Sequence, residues 1–101
     1  MISVIVSYTV KPAYVAENKQ HIQTFLKDFE KLDNTLFSYN VHTKEDGNSF
    51  VHISSYKNKE VQSEVLNVET FKQFQQKRDE SGLIGEPVIE VLEWIGGTSA
   101  L

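Results

Sequence analysis

The chain has 101 residues, of which 40% are hydrophobic, a net charge of −4 and no cysteine. The lack of cysteine excludes disulfides, thiolate metal sites and thiol nucleophiles, and a single arginine, Arg78, excludes the clustered cationic surface that nucleic-acid binding needs. Nothing in the sequence resembles a signal peptide or a membrane-spanning segment, so we expect one cytoplasmic domain, 1–101, that binds no metal, nucleic acid or membrane.

A strand and a long helix open the predicted order of elements. Residues Ile2 to Val10 alternate between two faces, one of which is entirely apolar or aromatic, as in half-buried strands. Pro12 ends this strand, because proline fits the first turn of a helix. Apolar residues then recur at helical spacing, which predicts a helix from Ala13 to about Leu32.

The middle of the chain predicts an antiparallel hairpin. Period-two alternation returns at Leu36 to His42 and again at Ser49 to Tyr56. The turn between these strands, 45–48, reads Glu-Asp-Gly-Asn, and glycine and asparagine tolerate the positive φ angles that short hairpin loops need. The two strands are therefore expected to pair.

Two short helices follow the hairpin. Asn58 is suited to cap the first, whose apolar stripe ends at Leu66, and Asn67 is suited to cap the second, Glu69 to Asp79. The charged run 77–80 at the end of the second helix is interpreted as solvated.

The C-terminal part predicts one more strand. Gly82 stops the preceding helix, and Pro87 opens a strand from Val88 to Ile95. Residues 96–101 read as a loose tail.

This order of elements indicates an α+β fold. Strand, helix, strand, strand, helix pair and strand match the ferredoxin-like split βαβ arrangement, in which the helices cover one face of a four-stranded antiparallel sheet. Both faces of the last two strands carry apolar residues, so the uncovered face would expose several hundred Å² of apolar surface. We therefore predict a homodimer formed through the sheet face opposite the helices.

Several segments resemble the antibiotic biosynthesis monooxygenase family. They are the run 10–12 before the long helix, the Phe-Ser-Tyr-x-Val pattern of 37–41, the Ser-Phe-Val of 49–51 with the Tyr-Lys-Asn-Lys-Glu of 56–60, and the Thr-Phe-Lys-Gln-Phe of 70–74. The resemblance extends from Ile2 to about Ile95. It implies a dimeric α+β barrel with a pocket between the sheet and the helices of each subunit.

The same resemblance implies a choice of activities. The family includes cofactor-independent monooxygenases acting on quinols and phenols, haem-degrading enzymes and members without known activity. Haem degradation is disfavoured, because Val6, Tyr56 and Gln75 stand where the haem branch carries asparagine, tryptophan and histidine. The chain also departs from its relatives at Asn18, which replaces an apolar residue of the first helix, and at Thr35, where glycine is common.

Oxidation of a small aromatic substrate without a cofactor needs proton transfer, an oxyanion site and exclusion of water. We predict His52 as the base, with Tyr56 on the same face of its strand, and Asn18 as a donor to the oxyanion. The predicted substrate-binding residues are aromatic or lie beside His52. They are Tyr39, Phe50, Ser54 and Trp94.

Structural roles compete with each of these assignments. A histidine on a strand is more often a half-buried residue bonded to a neighbour, and Tyr56 fits a strand end with its hydroxyl in water. Asn18 fits the edge of the apolar stripe of its helix. The alternative function is a non-catalytic small-ligand-binding or assembly domain that uses the same pocket.

Overall fold

A computed structural model describes residues 1–99 and 101 of the chain, so Ala100 in the predicted tail lies outside the described residues. The element order is the predicted one. The elements are β1 (Ile2–Val10), α1 (Val15–Phe29), β2 (Phe37–Thr43), β3 (Ser49–Tyr56), α2 (Lys59–Leu66), α3 (Glu69–Lys77) and β4 (Leu83–Glu93). A 3₁₀ turn, Pro12–Tyr14, leads into α1, and a π-helical turn, Arg78–Gly82, joins α3 to β4.

The four strands form one antiparallel sheet in the order β2-β3-β1-β4. This arrangement confirms the predicted ferredoxin-like α+β fold. The register places His52 of β3 between Val6 of β1 and Val41 of β2. Because side chains alternate along a strand, Phe50, His52, Ser54 and Tyr56 all point into the layer beneath the helices.

Local signals explain the turns that set this register. Gly47 adopts a φ of 79° in the hairpin, and the Asp46 carboxylate accepts hydrogen bonds from the backbone N–H groups of Asn48 and Ser49. The Asn58 side chain accepts from Val61 N at 2.9 Å and so caps α2, as predicted. The predicted cap at Asn67 is wrong, because its side chain donates back to the Ser63 carbonyl and Val68 precedes α3.

Aromatic residues dominate the core between the sheet and the helices. Phe25 and Phe29 of α1 contact Phe71 of α3 at ring-centroid distances of 5.0 and 5.6 Å. Apolar residues on one face of each amphipathic helix thus bury against the inward face of the sheet.

The last strand differs from its predicted bounds. It begins at Leu83 and ends at Glu93, so Pro87 lies inside it while Trp94 and Ile95 lie beyond it. The pairing with β1 shifts register between Ser7 and Thr9, opposite a segment where Gly85 has a φ of 73°. A proline is tolerated here because β4 is an edge strand with an irregular ladder.

The sheet face opposite the helices has no covering layer in the described chain. Ile53, Val88 and Leu92 lie on that face, and 40 to 57% of each remains exposed. On the helix side of β4, Ile89 and Val91 are exposed too, because the helices do not reach over this edge. No helix of the described residues is long and apolar enough to span a membrane.

Candidate active site

His52 lies at the centre of the sheet with its ring under the helices. Only 2% of the residue is exposed. Its imidazole stacks against Phe74 of α3 at 5.5 Å between ring centroids and against Phe25 of α1 at 6.3 Å. Both helices therefore fix the plane of the ring.

Two tyrosine hydroxyls hold the imidazole of His52. The Tyr8 hydroxyl lies 2.7 Å from Nε2, and the Tyr39 hydroxyl lies 2.7 Å from Nδ1. The Asn18 side chain donates from Nδ2 to the Tyr8 hydroxyl at 3.0 Å. We call Asn18, Tyr8, His52 and Tyr39 the polar row; it runs from α1 through β1 and β3 to β2.

Burial changes the ionisation of this row. Desolvation, with a smaller contribution from the charge of Arg78, lowers the pKa of His52 to about 3. Burial raises the pKa of Tyr8 to about 12, against the opposing effects of Asn18 and Arg78. Burial also raises the pKa of Tyr39 well above its usual range. At neutral pH the imidazole and both hydroxyls are therefore uncharged.

Arg78, at the start of the π-helical turn, brings a positive charge beside the polar row. Its guanidinium carbon lies 4.7 Å from the centroid of the Tyr8 ring and 5.3 Å from that of Phe74. The neighbouring Asp79 accepts a hydrogen bond from Nε at 3.0 Å, and Nη2 lies 3.0 Å from the same carboxylate oxygen in a salt bridge. Arg78 is 7% exposed, so the interpretation of 77–80 as solvated is wrong at this residue.

A cleft of about 420 Å³ opens between α3, the π-helical turn and the sheet. Buried or half-buried groups form its inner end, and the exposed side chains of Asp79, Glu86 and Ile89 form its mouth. Its lining consists of Val6, Tyr39, His52, Phe71, Phe74, Gln75, Arg78, Asp79, Leu83, Glu86, Pro87 and Ile89. The cleft thus combines aromatic walls with a hydroxyl, an imidazole, an amide, a guanidinium and two carboxylates, a composition suited to a small aromatic ligand.

The structure brings three of the seven predicted site residues together. His52 and Tyr39 line the cleft, and Asn18, which is 0% exposed, reaches it only through Tyr8. The predicted contact of Asn18 with a substrate oxyanion is therefore replaced by a contact with a tyrosine.

The other four predicted residues do not line the cleft. Phe50 stacks on Tyr8 in the core, and Ser54 and Tyr56 are buried further along β3. Trp94 lies beyond the end of β4 and is 43% exposed. Alternation placed the three β3 residues on the correct face of the sheet, but the cleft opens at one end of that face.

Sequence reasoning did not assign Tyr8 or Arg78 to the site. Tyr8 belongs to the inward face of β1, so the alternation of that strand placed it correctly without showing its contact with His52. Arg78 follows Phe71 and Phe74 at helical spacing, which puts it on the apolar face of α3. An arginine on an apolar face, in a chain whose other basic residues are lysines, was the available signal.

The cleft does not fit haem. Val6 and Gln75, which replace the asparagine and histidine of the haem branch, both line it. Among the described residues that line the cleft, His52 is the only histidine. Tyrosine hydroxyls contact both of its ring nitrogens. Neither nitrogen is free to bind iron.

Solved structures share this fold. A structure described as an antibiotic biosynthesis monooxygenase has a TM-score of 0.80 at 12% identity, covering 95% of this chain and 100% of the other. The protein Rv0793 from Mycobacterium tuberculosis has a TM-score of 0.82 at 16% identity, covering 97% and 98%. A protein from Caulobacter crescentus, provisionally named for the same family, has a TM-score of 0.79 at 19% identity, covering 94% and 90%. No family model matches the sequence, and no curated protein matches it.

These similarities confirm the predicted resemblance at the level of fold. The matches extend over nearly the whole chain, which agrees with a resemblance from Ile2 to about Ile95. At identities of 12 to 19%, they carry no information about the substrate.

Proposed function

We propose that the protein is a cofactor-independent monooxygenase that oxidises a small phenolic or quinol-type substrate with dioxygen. The observation that carries the proposal is the convergence of Tyr39 and Arg78 on one aromatic-walled cleft. The fold shared with a structure described as an antibiotic biosynthesis monooxygenase supports the same reaction class.

In this proposal, Tyr39 and Arg78 hold the substrate oxygen as it gains negative charge. Arginine has five N–H donors, of which Nε–H donates to Asp79, so donors on the terminal nitrogens of the guanidinium remain for a ligand. A hydrogen bond from Tyr39 and the charge of Arg78 both favour the ionised form of a bound phenol in a partly desolvated site. The rings of Phe71 and Phe74 form an apolar wall against which the substrate ring packs.

His52 is too weak a base in this site to take the substrate proton. Its role in the proposal is to orient Tyr39 through the hydrogen bond at Nδ1. With a pKa of about 3, the imidazole takes a proton from a phenol of pKa near 10 only at a cost of about 10 kcal/mol. The substrate proton instead leaves through the mouth of the cleft, where Asp79 and Glu86 meet water. This revises the role predicted for His52 from base to positioning residue.

The oxygenation itself proceeds on the substrate. The phenolate gives one electron to dioxygen, and the resulting pair of radicals combines into a carbon–oxygen bond. The peroxide anion takes back a proton from water at the mouth of the cleft, replacing the one released from the phenol. It then loses water, together with the hydrogen of the attacked carbon, and leaves a quinone carbonyl. One oxygen atom enters the substrate and the other leaves as water, so the substrate supplies all the electrons. The protein contributes the oxyanion contacts and the exclusion of bulk water.

Oxygen consumption with a panel of hydroquinones and polyphenols tests the proposal. Tyr39→Phe keeps the ring and removes the hydroxyl, and we expect it to lower kcat/KM about 10- to 100-fold. Tyr14→Phe is the matched control, since the Tyr14 hydroxyl is buried outside the cleft without a hydrogen-bond partner among the described residues. Rates for wild type equal to those of buffer across the panel contradict the proposal for this substrate class.

A second function, binding of a small aromatic ligand without chemistry, is favoured by one observation. The imidazole at the inner end of the cleft is a weak base and is not placed to accept the substrate proton. In that case, a phenol raises the melting temperature of wild type and not of Tyr39→Phe, while no oxygen is consumed.

We infer in addition that the protein works as a homodimer. The apolar residues of the sheet face opposite the helices support this assembly, which would bring two sheets together as a dimeric α+β barrel. The register places Ile5 next to Ile53 at the middle of this face.

A further inference from the structure

Hydrogen-bond counting along the polar row identifies which nitrogen of His52 carries the proton. A neutral imidazole has one donor and one acceptor nitrogen, and each tyrosine hydroxyl has a single hydrogen to donate. Both nitrogens of His52 lie 2.7 Å from a hydroxyl, so the hydrogen bonds of the row can run in either of two directions.

In the first direction, each of the three contacts along the row pairs one hydrogen with one acceptor. Asn18 donates to the Tyr8 oxygen, Tyr8 donates to Nε2, and Nδ1–H donates to the Tyr39 oxygen. The hydrogen of the Tyr39 hydroxyl is then left over. Tyr39 lines the cleft, so a ligand or water can accept this hydrogen.

In the second direction, the leftover hydrogen is buried. Tyr39 donates to Nδ1, and Nε2–H donates to the Tyr8 oxygen, which also accepts from Asn18. The Tyr8 hydroxyl hydrogen then has no acceptor, because Asn18 presents Nδ2 to Tyr8 while its Oδ1 makes no hydrogen bond among the described residues. Tyr8 is 4% exposed, so water does not replace the missing acceptor. A buried donor without a partner is strongly disfavoured, which shifts the ratio of the two forms by about tenfold or more.

We propose that Tyr8 fixes His52 as the Nδ1–H tautomer, so that Tyr39 presents its hydroxyl hydrogen to the cleft and selects ligands with an acceptor oxygen. Tyr8 is a positioning residue that acts through His52 and does not line the cleft. Arg78, beside both Tyr8 and the cleft, favours the same class of ligand because its charge attracts an oxyanion.

This inference goes beyond the proposed oxygenation and holds for a binding protein as well. Its first test is the ¹⁵N NMR spectrum of the histidine side chains of the full-length protein, with the His52 signals assigned by their loss in His52→Gln. We expect Nδ1 protonated and Nε2 unprotonated in wild type at neutral pH. Protonation at Nε2, or equal populations of both tautomers, overturns the proposal whatever the activity of the protein.

Two variants separate fixation by Tyr8 from a general disturbance of the core. Tyr8→Phe keeps the ring that stacks on Phe50 and removes the donor to Nε2, so we expect the Nε2–H fraction to rise severalfold. Asn18→Leu leaves the Tyr8 hydroxyl with His52 as its acceptor, so we expect the Nδ1–H tautomer to persist. An unchanged tautomer ratio in Tyr8→Phe contradicts the proposal. If this variant does not fold, the wild-type spectrum alone tests the proposal.

Ligand selection is tested with ionised 4-nitrophenol as the probe. We expect Tyr39→Phe to weaken its binding about tenfold and Tyr8→Phe to weaken it severalfold, because Tyr39 can then turn its hydrogen towards His52. Affinity for the probe unchanged by both variants contradicts selection through Tyr39. Neither readout depends on oxygen consumption, so this proposal and the proposed function can fail separately.

Discussion

The ring of Tyr14 lies against Gly82, and a Cβ added to Gly82 would lie 2.6 Å from Cε2 of that ring. This contact packs the π-helical turn, which carries Arg78 into the cleft, onto the start of the α1 segment. Gly82→Ala therefore forces either the ring or the turn to move. We expect a loss of about 1–3 kcal/mol in the free energy of unfolding, measured by urea denaturation.

Gly96→Ala is the control for this substitution, because a methyl group there meets no atom within 4 Å. In a Tyr14→Ala background, the cost of Gly82→Ala should fall to a fraction of its value, since the clashing ring is absent. Equal costs in both backgrounds would show that Tyr14 is not the obstacle.

The buried His52 predicts a loss of stability in acid. Its pKa is about 3 in the folded protein and about 6.5 in an unfolded chain, so below pH 6.5 the unfolded state binds a proton that the folded state does not. The stabilisation is complete above pH 6.5 and is lost as the pH falls towards 3, with a slope of up to about 1.4 kcal/mol per pH unit.

Urea denaturation of wild type and His52→Gln between pH 8 and pH 4.5 measures this effect. Glutamine does not titrate, so the difference between the two free energies of unfolding should shrink below pH 6.5. The carboxylates that titrate in acid are the same in both proteins and cancel in the difference. Parallel pH profiles would mean that His52 accepts a proton in the folded state.

Arg78 is expected to govern the affinity of the cleft for anions. Arg78→Met keeps an apolar stem over Tyr8 and removes the charge, so ionised 4-nitrophenol should bind about 10- to 100-fold more weakly. Lys77→Met is the matched control, because this neighbour is exposed and does not line the cleft. Equal losses in the two variants, measured by titration of the probe's absorbance, would assign the effect to net charge alone.

Much of the fold follows from local patterns in the sequence. Alternation in β1 and β3, the Gly47 turn and the Asn58 cap are short-range signals, and each appears in the structure. The bounds of β4 escaped prediction because Pro87 is a strand breaker in isolation. Its tolerance depends on the edge position of β4, which is known only once the sheet is assembled.

The site was less predictable, because it depends on contacts between residues distant in the chain. Tyr8 and His52 are 44 positions apart, and no spacing rule connects them. The low pKa of His52 likewise arises from burial by Phe25 and Phe74 on two different helices. Periodicity can place each residue on a face of its element, but it cannot show which of them meet or where the cleft opens.

The uncovered sheet face predicts a homodimer that a single charge can break. Ile53 is 40% exposed at the centre of this face, beside Ile5 on the neighbouring strand. A standard interface buries about 800 Å² on each partner, and a carboxylate at its centre would lose its hydration without gaining a partner. Ile53→Glu should therefore separate the subunits while leaving each sheet intact.

Sedimentation velocity at micromolar concentration measures the assembly. Wild type should sediment as a dimer of the 11.6 kDa chain and Ile53→Glu as a monomer with an unchanged far-UV circular dichroism spectrum. Thr24→Glu adds the same charge to the exposed side of α1 and should remain dimeric. A monomeric wild type would contradict the predicted homodimer. A dimeric Ile53→Glu would show that the interface lies elsewhere, with the exposed Ile89 and Val91 of β4 as the alternative.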